Sequence, residues 1–134
     1  MNNEIDYGQI DFDIRKLVYL VNIFDEIETL FSCSGHQLGE QGYITFKAGS
    51  VDALNKLLTA LPNQWRCAGF SYNQPYLKQF WINVSIMPAY GLVYNLRFEG
   101  SPFFMQRELI EEMEKALSEK LTLTSQANNV FNSH

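Results

Sequence analysis

Two periodicities alternate along this chain, and together they limit its fold more than any single residue does. Ile10, Ile14, Leu17, Val18, Val21 and Phe24 recur at three- and four-residue steps, the spacing that lines one face of a helix. From Gly42 to Lys47 the pattern changes to a period of two, with aromatic and β-branched residues alternating in polarity as in a half-buried strand. The helical period returns after Ser50, a good N-cap, with Val51, Leu54, Leu57, Leu58 and Leu61 as its expected inward face, and Pro62-Asn63 stops it. It returns once more after the paired start signal Ser101-Pro102, with Leu109, Ile110, Met113, Leu117 and Leu121 as its stripe. Strands are expected at Glu28 to Ser34, at Trp65 to Tyr72 around Gly69, at Phe80 to Met87 and at Leu92 to Phe98, the last two forming a hairpin.

The order helix, strand, strand, helix, three strands, helix predicts an α/β (α+β) fold. It is a single domain over residues 1–121, with a mixed, mostly antiparallel five-stranded sheet covered by three helices, and residues 122–134 read as a mobile polar tail. A length of 134 residues is enough for a core that needs neither metal nor disulfide. The start, Met1 to Tyr7, has no charged-then-apolar leader, and no apolar run reaches the length of a membrane span, so a cytoplasmic protein is expected, with Cys33 and Cys67 as reduced thiols. Ten Lys+Arg against fifteen Asp+Glu give a net charge of -5, with the cations scattered, which opposes stand-alone binding to nucleic acid. A nucleotide-like small molecule held by a few groups meets no such barrier. The aromatic content, 14%, points to a homo-oligomer.

The chemistry is concentrated at one expected strand end, Ser32-Cys33-Ser34-Gly35-His36. His36 is the candidate catalytic base or ligand contact, the alternative being an exposed capping histidine. Ser32, Ser34 and the Gly35 N-H offer an anion-binding concavity, against serines that satisfy their own backbone. Cys33 reads as a small buried residue at a strand end more readily than as a nucleophile, and no metal site is expected, because the paired spacing of zinc ligands is absent. A second cluster lies around the hairpin. Tyr90, beside Gly91 in the turn, can stack on a base; Asn83, Ser85 and Asn95 offer hydrogen bonds; Lys47 and Arg97 are phosphate partners. No phosphate-loop or dinucleotide-binding glycine pattern is present.

Gly8-x-Ile10-Asp11, followed by Ile14, Leu17-Val18, Val21-Asn22, Thr29 and Ser32-Cys33-Ser34-Gly35, resembles the amino-terminal signature of the tRNA wybutosine-synthesis methyltransferase family. The resemblance extends in outline from about Gly8 to Leu121. It implies a fold of that type, S-adenosylmethionine as cofactor, methylation of a modified guanine in tRNA, and a hairpin turn at Met87 to Gly91 on the same side of the sheet as the motif. The family motif ends in arginine where this chain has His36, and the Ser-Cys-Ser-Gly-His form is similar to that of small bacterial and phage proteins.

Three readings follow. In the first, the chain binds a nucleotide-like small molecule at the Ser-Cys-Ser-Gly-His loop, as a sequestering or sensing protein without a certain cofactor. In the second it is an S-adenosylmethionine-dependent methyltransferase acting on a nucleoside or tRNA, and in the third an interaction module whose aromatic edge strands bind another chain.

Overall fold

A computed structural model describes residues 6–35, 41–62, 77–101 and 103–132. After a 3-10 turn at Tyr7–Gln9 come α1, Phe12–Ile23; β1, Ile27–Cys33; β2, Gly42–Ala48; α2, Val51–Ala60; β3, Leu77–Met87; β4, Gly91–Ser101; and α3, Phe103–Asn132. The described strands form one sheet in the order β1-β2-β4-β3, with every pairing antiparallel. The expected sheet of five mixed strands is therefore corrected to four antiparallel ones among the described residues. The segment read as a strand at Trp65 to Tyr72 lies outside them.

Side chains alternate across the sheet, so one face collects Ile44 and Phe46 of β2, Phe80 of β3, and Leu96 and Phe98 of β4. The helices supply Ile14, Leu17, Val18 and Val21 from α1, Leu57 from α2, and Leu109, Ile110, Met113 and Leu117 from α3 to the same buried cluster. Two glycines make room for close neighbours, one within the sheet and one between sheet and helix. A Cβ on Gly42 would collide with the ring of Phe98, and one on Gly100 would collide with the backbone of Met105 and Gln106 in the first turn of α3.

Within α1 and α3 the expected stripes are buried, while Ile10 and Phe24, just outside α1, and Leu121 of α3 are half-buried against the same core. The stripe of α2 is shifted: Ala53, Leu57, Ala60 and Leu61 face inward, whereas Val51 is 80% exposed and Leu58 lies on the surface. The inward row follows steps of four, three and one residues, and the small alanines on it let the helix lie close to the sheet. The helix α3 also continues to Asn132, past Leu121, where the tail was expected to begin. No glycine or proline occurs between Phe103 and His134, so no residue of that stretch breaks the hydrogen-bond ladder.

Polar groups also fasten the layers. Asn22, buried at the end of α1, accepts from the backbone N-H of Thr29 at 3.1 Å and donates to the Tyr7 hydroxyl at 3.2 Å. On β3, Lys78 is only 15% exposed and lies 2.6 Å from Glu112 and 3.6 Å from Glu108, both on α3. Burial works against its charge, but the hydrogen bond and charge of Glu112, joined by Glu108, outweigh it and hold the ammonium above its usual value of 10.5.

Candidate functional site

The strand-end motif divides between the two faces of the sheet. A bulge between Thr29 and Phe31 shifts the register of β1, so Phe31 lies opposite Thr45, Ser32 opposite Ile44 and Cys33 opposite Tyr43. Cys33 and Phe31 therefore share the face turned away from the helices, and Ser32 shares the helix side. Ser34 is buried, and its backbone N-H and hydroxyl both donate to Oδ2 of Asp11, at 3.0 and 3.2 Å. Its carbonyl accepts from the buried amide of Gln106 on α3. The anion held at this strand end is thus the chain's own carboxylate, and the donors expected for a ligand fasten α1, β1 and α3 together. Gly35 follows in the left-handed region at φ 82, which frees the chain from the strand direction. His36 and Cys67 lie outside the described residues.

Beside this junction, along β1, is a cavity of about 410 Å³. It is lined by Asp6, Gln9, Ile10 and Asp11 from the start of the chain, by Thr29 to Ser32, and by Tyr43. Both halves of the sequence signature, Ile10-Asp11 and Thr29 with Ser32, meet on its walls. The volume lies within the range that holds a drug-sized ligand.

Beyond Tyr43 the antiparallel register places the remaining strand candidates on one face. Tyr43 pairs with Arg97 and Arg97 with Trp81, while Thr45 pairs with Asn95 and Asn95 with Asn83. The Arg97 guanidinium lies over the Tyr43 ring at 5.7 Å, and its Nε donates to the Asn83 side-chain oxygen at 3.3 Å. The Thr45 hydroxyl donates to Asn95 at 2.6 Å, and the Asn95 amide donates to Ser85 at 3.0 Å. Asn95 is buried with its oxygen and nitrogen both engaged, so it supports the face rather than reaching a ligand. Lys47 shares this face, opposite Glu28.

The hairpin turn stands at the opposite end of the sheet from the motif, because Cys33 lies beside Tyr43 whereas β4 starts at Gly91, three residues before the partner of Phe46. Gly91 closes the turn at φ 77. Tyr90 meets Phe31 edge-on at 5.5 Å, so its ring is engaged within the protein. No protein-family model, curated protein or solved structure matches this chain. Among the described residues no group of three or more His, Cys, Asp or Glu could hold a metal ion, and no helix is long and apolar enough to cross a membrane.

Tyr43, Phe31 and Trp81 are the site residues that sequence reasoning passed over. Each occupies an ordinary aromatic position in a strand pattern, and only the pairing register shows that Tyr43 and Trp81 flank one arginine.

A second concavity, of about 620 Å³, runs between α1 and α3, with Tyr7, Phe12 and Tyr19 against Ile110 and with charged residues on both helices. Burial raises the carboxyl of Glu114 in its wall above the usual 4.5, Lys16 opposing the shift and Glu111 adding to it. The folded protein holds this proton more tightly than the unfolded chain does, so ionised Glu114 destabilises the fold at neutral pH, and the penalty fades as pH falls through the raised value. Glu114→Gln is therefore expected to raise the midpoint of urea unfolding at pH 7 and to have no effect below pH 4.5; an equal effect at both pH values would contradict this assignment.

Proposed function

We propose that the chain binds a nucleotide-like small molecule, with its nucleoside part in the cavity beside β1 and its phosphate on Arg97. The observation that carries this reading is the position of Tyr43, which lines the cavity and whose ring lies under the Arg97 guanidinium. One end of the site carries the carboxylate of Asp6 and the other a guanidinium. Carboxylates accept hydrogen bonds from ribose hydroxyls, and a guanidinium matches a phosphate, so the polarity of the site orients a nucleotide in one direction. The rings of Phe31 and Tyr43 offer the base an aromatic contact of about 1 to 3 kcal/mol. Such a ligand is compatible with an acidic protein, because a single phosphate needs one well-placed cation and not a basic field.

The first test is native mass spectrometry of freshly purified protein, which identifies a retained nucleotide directly. Calorimetric titration with nucleosides, their phosphates, cyclic nucleotides and S-adenosylmethionine then sorts the readings. Arg97→Ala is expected to weaken a nucleotide about tenfold and leave the matching nucleoside unchanged, and Tyr43→Ala to weaken both. Equal affinities in wild type and both variants, or no binding by any of these compounds, would remove the proposed site. Selective uptake of S-adenosylmethionine would move the reading to a methyltransferase using the same cavity.

A further inference from the structure

The walls of the groove between α1 and α3 carry opposite charges at two levels along its length; Arg15, also in its lining, donates to the Gly8 and Ile10 carbonyls. Near its start Asp13 on α1 and Arg107 on α3 together line a smaller adjoining cavity of about 180 Å³. Further along, Lys16 on α1 faces Glu111 and Glu114 on α3, close enough for Lys16 to act on the Glu114 carboxyl. A two-fold axis running along such a groove exchanges the walls without changing the level. Asp13 of one copy then meets Arg107 of the other, and Lys16 meets Glu111 and Glu114. The same flank of α1 exposes Phe12 (79%), Tyr19 (51%) and Ile23 (40%), at steps of seven and four residues, which is one stripe of a helix. Exposed apolar side chains in a row beside a charged groove mark a docking surface more than a solvated one.

From this we infer that the α1–α3 groove is an isologous dimer interface, closed by a second copy of the chain across a two-fold axis parallel to the groove. The internal pair between Arg107 and Glu111, 3.9 Å apart and exposed, contributes little to the monomer and leaves both charges available for the partner. Self-complementarity of this kind is what a two-fold interface requires, since the same patch serves both subunits. It is separate from the cavity beside β1, so the two assignments stand or fall independently.

Sedimentation velocity of the full chain at micromolar concentration tests the interface. Wild type is expected to be a dimer. A variant whose walls are both net acidic, Lys16→Glu with Arg107→Glu, and one whose walls are both net basic, Asp13→Lys with Glu111→Lys, are each expected to dissociate about tenfold more readily, because walls of like net charge then face each other. Mixing the two in equal amounts should restore a dimer containing one of each, which a folding defect could not produce. If a double variant loses its wild-type circular dichroism, the single changes Lys16→Glu and Glu111→Lys replace the doubles, with the same expectation on mixing. A monomeric wild type, a dimer indifferent to both charge changes, or folded variants that fail to rejoin on mixing would overturn the assignment.

Discussion

Gly100→Ala is expected to destabilise the protein by about 3 kcal/mol and to lower its thermal midpoint by about 10 °C. The added methyl group would lie inside contact distance of the Gln106 nitrogen and the Met105 carbonyl carbon. Both are backbone atoms of a helix, and neither can rotate away as the end of a side chain would. Relief requires the start of α3 to lift from β4, which would also pull Gln106 from the Ser34 carbonyl. Gly91→Ala is the informative comparison. There the backbone is left-handed at φ 77 but nothing lies within 4 Å of the new methyl, so only the conformational penalty of roughly 1 kcal/mol applies. Thermal unfolding followed by circular dichroism separates the two. Equal midpoints for both variants would mean that the packing of α3 on β4 is looser than this geometry.

Lys78→Met is expected to cost about 2 kcal/mol at neutral pH, the second largest effect. The substitution keeps the length of the side chain but leaves Glu108 and Glu112 facing each other without their shared cation, and one oxygen of Glu112 already lacks a hydrogen-bond partner in its buried position. Partial exposure of both carboxylates keeps the cost below that of a fully buried pair. The raised value of the lysine sets the pH dependence. A group held above 10.5 in the folded state contributes its full stability below that pH and loses it as pH rises through the folded value. Wild type should therefore lose stability above pH 10.5 and the variant should lose less. A difference independent of pH from 7 to 11 would show that the methylene packing of Lys78, and not its charge, carries the contribution.

The period of the apolar residues made α1 and α3 legible, because each has one long stripe on one face. It misplaced the face of α2, where five large aliphatic residues in eleven positions admit two stripes and the alanines that choose between them carry little hydropathic signal. For the site, alternation was enough to put Asn83, Ser85, Asn95 and Arg97 on neighbouring positions of a hairpin, and the register makes them one face. What could not be read was pairing between distant strands and the bulge in β1. Without the bulge, Phe31 would share a face with Thr29, and the two serines flanking Cys33 would lie on the other side of the sheet. The bond between Asp11 and Ser34 was similarly hidden. Both residues stood in the quoted signature, but twenty-three positions apart, and no local rule connects a helix start to a strand end.

That junction also bears on how the chain acquires its shape during synthesis. β1 and β2 can pair as soon as they leave the ribosome, and Asp11 can reach Ser34 early, since all of these lie at or before Ala48. The inner edge of β2, however, waits for β4, roughly fifty residues later, and the Ser34 carbonyl waits for Gln106, seventy-two residues on. Until then the growing chain carries a two-stranded ribbon whose apolar face has only α1 and α2 to cover it, too little for independent stability. The core is therefore completed late, when α3 emerges and covers the sheet, and a chain interrupted before that helix leaves the apolar face of Phe80, Leu96 and Phe98 without α3 over it, for chaperones or other chains to meet.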